Sequence, residues 1–296
     1  MSHKAVHADF LPPNRHAFKY EKEPFQPPVT WVENPEAFRD VPRWVKNQRN
    51  SRHGVEFAYY MNLDLEKYYK RYCETLLAVD ESVGKLVDAM EEKGVLDNTL
   101  VLYLGDNGYL FGEHGLANHG ASVWEQLYST PCLIRYPKAI PAGTVVRGLT
   151  SALDLMPTAF SLIGKEEWLA DRTTLDGEPL RLDTQVDPDR TLIVDAPPAV
   201  LPERFKQYPK LLYLLSIIAR AARTSEFKYI WQSNGQKLLF RTGTPEDDQH
   251  NVLEEYPEIA DNLHSRMVAF YETVDPEFVI EQYPVCLLYT SPSPRD

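Results

Sequence analysis

The sequence predicts an α/β protein: a mostly parallel central sheet flanked by helices, followed by a small C-terminal α+β subdomain with an antiparallel hairpin. Three observations carry this. Thr99 to Leu104 is a near-continuous apolar run, the pattern of a strand buried on both faces of a parallel sheet. Asp64 to Lys93 precedes it with apolar residues at three- and four-residue steps, and Val95-Leu96-Asp97-Asn98 joins the two as the helix-to-strand step of an α/β unit. Near the other end, Phe227-Lys-Tyr-Ile-Trp and Lys237-Leu-Leu-Phe flank Ser-Asn-Gly-Gln, a hairpin signal.

Taken in order, residues 14 to 63 are rich in proline, aromatics and charge with little periodicity. Pro24, Pro27, Pro28, Pro35 and Pro42 exclude a long helix or strand there, leaving a long loop over the scaffold. Arg15, Arg43, Arg49 and Arg52 on that loop suit an anionic sugar or simple solvation. The helix that follows has Asp64 at its cap, one stripe from Leu65 through Tyr72 and Val79 to Met90, and Gly94 as its stop. Thr130 to Pro137 reads as a second buried strand with proline at both edges. Ser151 to Gly164 reads as a helix with Pro157 in its first turn, Asp176-Gly-Glu-Pro-Leu as a surface loop, and Thr191-Leu-Ile-Val-Asp as a further strand. Ile259 to Tyr271 is a closing helical run.

The chain of 296 residues has ample length for a core, and 43% hydrophobic with 25% charged residues is ordinary globular composition. A net charge of −12 argues against a nucleic-acid binder, and it requires any anionic substrate to be held by a local cluster of positive groups. No stretch reaches the length of a membrane span; the best, Leu211 to Ala222, is broken by Ser216 and Arg220. Three cysteines form neither a disulfide framework nor a metal-ligand spacing.

The chemistry-bearing stretch is where the central strand stops, at Gly105-Asp106-Asn107-Gly108. Ligands of open α/β sheets bind beyond the carboxyl ends of strands, and a carboxylate beside an amide oxygen suits a hard cation such as calcium or magnesium. The same residues also make an ordinary turn.

The longer run Asp106-Asn-Gly-Tyr-Leu-Phe-Gly-Glu-His-Gly-Leu116 resembles the corresponding stretch of the sulfatases of the alkaline phosphatase superfamily. Tyr72-Cys-Glu-Thr-Leu-Leu-Ala-Val-Asp and the Asp-x-x-Pro-Thr of Asp154 to Thr158 are similar to segments of the same family. The resemblance implies an incomplete alkaline phosphatase-like fold. It implies Asp106 and Asn107 as calcium ligands, and His7, ahead of a proline-rich loop, as a contact to the sulfate ester and proton donor to the leaving oxygen. Many family members carry a sulfate-binding lysine thirteen residues after the metal-binding Asp; here His119 occupies that place, a departure, and an ordinary loop histidine is the bland alternative. His119 and His7 are thus the catalytic and substrate-binding candidates. Lys4 adds positive charge or is merely solvated, and His114 is expected to hydrogen-bond Glu113.

The family nucleophile is a formylglycine made within Cys/Ser-x-Pro/Ala-x-Arg, and no such motif occurs in these residues. The resemblance therefore implies a C-terminal portion of a sulfatase, cut at both ends, with the formylglycine and the remaining metal ligands upstream. It further implies hydrolysis of sulfated carbohydrate esters by the full-length protein and a periplasmic or secreted location. The fragment alone is expected to be inactive and to bind calcium weakly. A phosphate or phosphonate monoesterase of the same superfamily and a non-catalytic glycan-binding remnant are the alternatives. The expected divisions are 1–200 for the catalytic α/β portion, 201–285 for the subdomain, and 286–296, which resembles translated sequencing adapter, for a non-native tail. Without that tail two cysteines remain, Cys73 and Cys132, both expected to be buried thiols.

Overall fold

The computed structural model describes residues 2–7, 10–30, 64–118, 123–168, 177–180, 187, 189–196, 219–243 and 249–274. Helix α1 spans Leu65–Glu92; the Asp64 side chain caps it by accepting from the Lys67 amide at 3.3 Å, and Gly94, at φ 63°, turns the chain out of it. Its first turns hold the N-terminal segment through aromatic packing. The buried Phe10 ring lies 4.5 Å from Tyr68, 5.3 Å from Tyr72 and 5.3 Å from Tyr109 between ring centres. Further along, Arg15 and His16 both reach the Glu81 carboxylate, at 2.5 Å and 2.7 Å.

Strand β1, Val101–Leu104, pairs antiparallel with β4, Cys132–Arg135, in the register Val101 to Arg135 through Leu104 to Cys132. Among the described residues the strand pairings are antiparallel, so the parallel neighbours expected for β1 do not lie within them. The geometry of the intervening chain explains this pairing. Gly105 donates to the Pro131 carbonyl at 3.3 Å, so the excursion from 106 to 130 leaves and rejoins the ladder at one point and must return reversed. Nor is β1 buried on both faces: Leu102 and Leu104 are each 42% exposed and Leu133 of β4 is 66% exposed. Cys132, expected to be a buried thiol, is exposed for the same reason, since it opens β4 opposite Leu104 on this uncovered ribbon; Cys73 is half-buried in α1.

The excursion is compact. Strands β2 (Leu110–Phe111) and β3 (Ala117–Asn118) pair antiparallel, Leu110 opposite Asn118, around a turn in which Gly112 and His114 both take positive φ, 115° and 54°. The short helix α2, Glu125–Tyr128, lies against the start of the loop: Gly108 donates to the Leu127 carbonyl at 2.7 Å. A side chain at 108 would put its Cβ 1.9 Å from the Gln126 carbonyl oxygen, so only glycine fits.

Helix α3, Leu155–Leu162, follows a 3-10 turn at Ala152–Asp154. Asp154 is fully buried, and its carboxylate accepts from the Ser151 and Glu178 amides and from Arg190 Nη2, which is 2.7 Å from both oxygens. Thr158 Oγ1 accepts from the Leu180 amide. Gly177 is forced here too, since a Cβ would sit 2.0 Å from the Leu153 carbonyl oxygen. The Asp-x-x-Pro-Thr segment is therefore a clamp on residues 177–180, and the expected surface loop is tied down by it.

The C-terminal sheet has the order β5-β6-β7-β8, all antiparallel, from Leu192–Ala196, Ala219–Arg223, Phe227–Gln232 and Lys237–Arg241. The expected division at residue 200 thus falls between two paired strands. The predicted hairpin is β7–β8, turned at Gly235 with φ 84°. Strand alternation gives the sheet two buried faces. Phe227, Tyr229 and Trp231 face Ala260, Leu263, Met267 and Tyr271 of helix α4, Pro257–Val274, whose spacing is one helical stripe. Ala221, Ile230, Leu238 and Phe240 pack instead on Leu110, Leu116, Trp124 and Leu127. Each fully buried side chain here, such as Leu239 or Met267, contributes roughly 1.5–3 kcal/mol of apolar burial. This second face joins the sheet to the excursion that carries Asp106.

Candidate functional site

Asp106 and Asn107 sit exposed beyond the carboxyl end of β1. Asp106 Oδ1 accepts from the Asn107 amide at 2.9 Å, and the Asn107 side-chain amide donates to the Gly108 carbonyl at 2.7 Å. Both bonds link adjacent residues of the turn, so the turn and the cation readings share one geometry. They fix both side chains while leaving Asp106 Oδ2 and the Asn107 amide oxygen clear of the loop's own hydrogen bonds. Two hard oxygens so held fit as part of a calcium shell, which takes six to eight. Among the described residues no group of three His, Cys, Asp or Glu side chains could hold a metal, so the rest of such a shell is not supplied by them.

His7 is exposed, in a turn where its amide donates to the Lys4 carbonyl at 2.9 Å. Three residues on, Phe10 contacts Tyr109, itself three residues after Asp106, so the segments carrying His7 and Asp106 share one aromatic cluster. His119 lies outside the described residues; its neighbour Asn118 ends β3 opposite Leu110.

His114 does not take the expected bond to Glu113. Glu113 turns back to accept from the Phe111 amide at 2.6 Å, and burial pushes its carboxyl above the ordinary range. His114 is fully buried, and its ring stacks on Trp124 at 3.9 Å and 13°, while its amide donates to Thr30 Oγ1 at 3.2 Å. Burial, reinforced by the charge of Lys228, holds its imidazole down to about 3 against a favourable contact from Gln126, so it is neutral at working pH. Lys228, equally buried on β7, lies 5.0 Å from the Trp124 ring centre. Beside it, Glu125 receives Arg223 Nε at 3.2 Å; burial works to raise this carboxyl, but the Arg223 and Tyr128 hydrogen bonds outweigh it and hold it low. The sequence signal for Lys228 was its isolation: one cation within the apolar strand Phe227-Lys-Tyr-Ile-Trp.

A cleft of about 880 Å³ opens beside Asp106, walled by Leu104, Ser151, Glu125, Arg190 and Arg223. Its size suits a small ligand. Both arginines, however, are committed to carboxylates, Arg190 to Asp154 and Arg223 to Glu125, so this wall is built of ion pairs and not of a sulfate-binding patch.

The sulfatase family model matches residues 3–165. An N-acetylglucosamine-6-O-sulfatase of Bacteroides thetaiotaomicron is 33% identical over 139 residues, 44% of this chain and 25% of that protein. The arylsulfatase of Volvox carteri is 33% identical over 168 residues, 53% of this chain and 23% of that protein. The matched region thus spans about a quarter of these relatives' length. Among solved structures, BT4656 in complex with its substrate D-glucosamine-2-N,6-O-disulfate is similar with a TM-score of 0.68 at 20% identity, covering 94% of this chain and 65% of that one. A phosphonate monoester hydrolase from Silicibacter pomeroyi has a TM-score of 0.64 at 20% identity, covering 91% and 54%. These likenesses show the fold, the alkaline phosphatase-like α/β architecture of sulfatases. With more than half its residues matched, the chain belongs to the sulfatase family.

Proposed function

We propose that this chain forms the C-terminal part of a carbohydrate sulfatase in which Asp106 and Asn107 hold calcium and His7 and His119 attend the sulfate ester. The observation that carries this is the exposed Asp106–Asn107 pair, its oxygens fixed at the end of β1 within an eleven-residue sulfatase-like run. Bound calcium would supply positive charge against the sulfate oxygens. The chain's own contribution is to hold the ligand oxygens in place, through Gly108 locked onto α2, and to offer imidazoles for hydrogen bonding. His7, exposed and anchored by Phe10, is suited to give a proton to the departing sugar oxygen. A formylglycine on a preceding part of the protein would provide the nucleophile.

The N-acetylglucosamine-6-sulfatase relatives favour a 6-sulfated hexosamine as substrate. The test is sulfate release from N-acetylglucosamine 6-sulfate by the whole protein, matured with its formylglycine, beside Asp106→Ala and a phenylphosphonate ester. Turnover of the sulfated sugar that collapses in the variant is expected. Preference for the phosphonate ester would replace this reading with a monoester hydrolase, and no turnover of either would leave a glycan-binding role.

A further inference from the structure

A lysine with no exposed surface is costly unless its charge is used, because desolvating an ammonium is paid back only by specific partners. Lys228 shows where its charge is directed. From β7 it faces the excursion, not helix α4, alongside Ile230 in strand alternation. Its ammonium lies 5.0 Å from the Trp124 ring centre and 5.8 Å from Phe240. Trp124 caps α2, and its ring also stacks on His114 and meets Phe240 edge-on. One residue later Glu125 is drawn to the same sheet by Arg223 of β6. Two cations from adjacent strands therefore grip consecutive residues at the head of α2. The tail of that helix is the surface on which Gly108 rests, through the 2.7 Å bond to Leu127 and the close approach to Gln126.

We propose that Lys228 is a positioning residue: through Trp124 and α2 it holds the Asp106–Gly108 loop in register, so the C-terminal sheet sets the placement of the two oxygen ligands. The part of this that concerns calcium rests on the reading of Asp106 and Asn107 as ligands. Lys228 acts on them through Trp124 and α2.

The test is hydrogen exchange on the whole 296-residue chain, wild type against Lys228→Met, which preserves length and removes charge. Amides in 105–112 and 124–128 are expected to exchange about tenfold faster, the loss of one buried cation–π contact. Amides of β7 and of residues 260–271 are expected to keep their rates. Lys228→Arg, which retains a cation able to sit against the indole, should restore slow exchange. Unchanged rates at 105–112, or a uniform rise throughout the chain, would overturn the proposal. Should the methionine variant fail to fold, Trp124→Phe makes the same claim from the other partner, with a smaller local acceleration expected and an unaltered loop refuting it. Calorimetric titration with calcium separates the two readings. If Asp106→Asn binds calcium as the wild type does, the ligand assignment fails while exchange still decides on Lys228. If the wild type binds and Lys228→Met binds equally well, the positioning role fails.

Discussion

His114 makes the fold sensitive to mild acid, by an amount the structure sets. Its imidazole has an ordinary value of 6.5 and is held at about 3 in the fold, first by burial and then by the Lys228 charge. Above pH 6.5 both folded and unfolded chains carry it neutral and it imposes no penalty. As the pH falls below 6.5 the unfolded chain takes up a proton that the folded chain refuses, so stability declines down to about pH 3. The linkage relation puts the loss at about 2 kcal/mol between pH 8 and pH 5, against a total stability of about 5–15 kcal/mol. Urea unfolding at pH 8, 7, 6 and 5 reads this as a midpoint lowered by roughly 0.7 M for a slope near 3 kcal/mol/M. His114→Gln cannot take up the proton, so its midpoints should stay nearly level over that range even if it begins lower. Glu113 and Glu125 are shifted by the fold as well, and the difference between the two proteins removes their share. Parallel slopes in wild type and variant would refute the argument.

Asp154→Asn strands Arg190 beside a neutral amide; a loss of about 3–5 kcal/mol is expected by chemical denaturation, and the Asp154→Asn/Arg190→Gln pair should recover part of it. Gly108→Ala forces α2 away from the loop and should cost about 1–3 kcal/mol, so a melting temperature within a degree of wild type would contradict the 1.9 Å approach. Arg15 draws the Glu81 carboxyl down to about 2, so the contact persists above the ordinary Glu value and disappears only as the pH falls through about 2. A carbon-detected titration should show this, and Arg15→Gln should move the midpoint toward 4.5. The 296-residue chain on its own, having no formylglycine motif, should release no sulfate from an aryl sulfate; measurable turnover would disprove that.

Local signals carried the reading furthest where they were repeated. Helix α1 has nine apolar residues in phase, a capping Asp64 and a stopping Gly94, and it forms within a residue of its expected ends. The β7–β8 hairpin likewise follows from Ser-Asn-Gly-Gln between apolar runs. Signals that depend on distant partners were not legible. Val101 to Leu104 reads as doubly buried, but burial is decided by what covers a strand, and its only described neighbour is β4. Asp154 reads in sequence only as part of an Asp-x-x-Pro-Thr segment, because its partner Arg190 is thirty-six positions away. His114 pointed to Glu113 by adjacency, whereas its surroundings are Trp124 and a lysine from another sheet. At the candidate site the place of the Asp106–Asn107 pair was legible, since the end of an apolar run marks a strand terminus and both side chains stand exposed just beyond β1.

The hydrogen bond from Gly105 to Pro131 bears on what this loop can tolerate. Twenty-five residues depart from the ladder and come back through a single doorway, so the sheet does not register how much chain is spent outside. Lengthening or trimming the stretch between β3 and α2 should leave the pairing of β1 with β4 untouched.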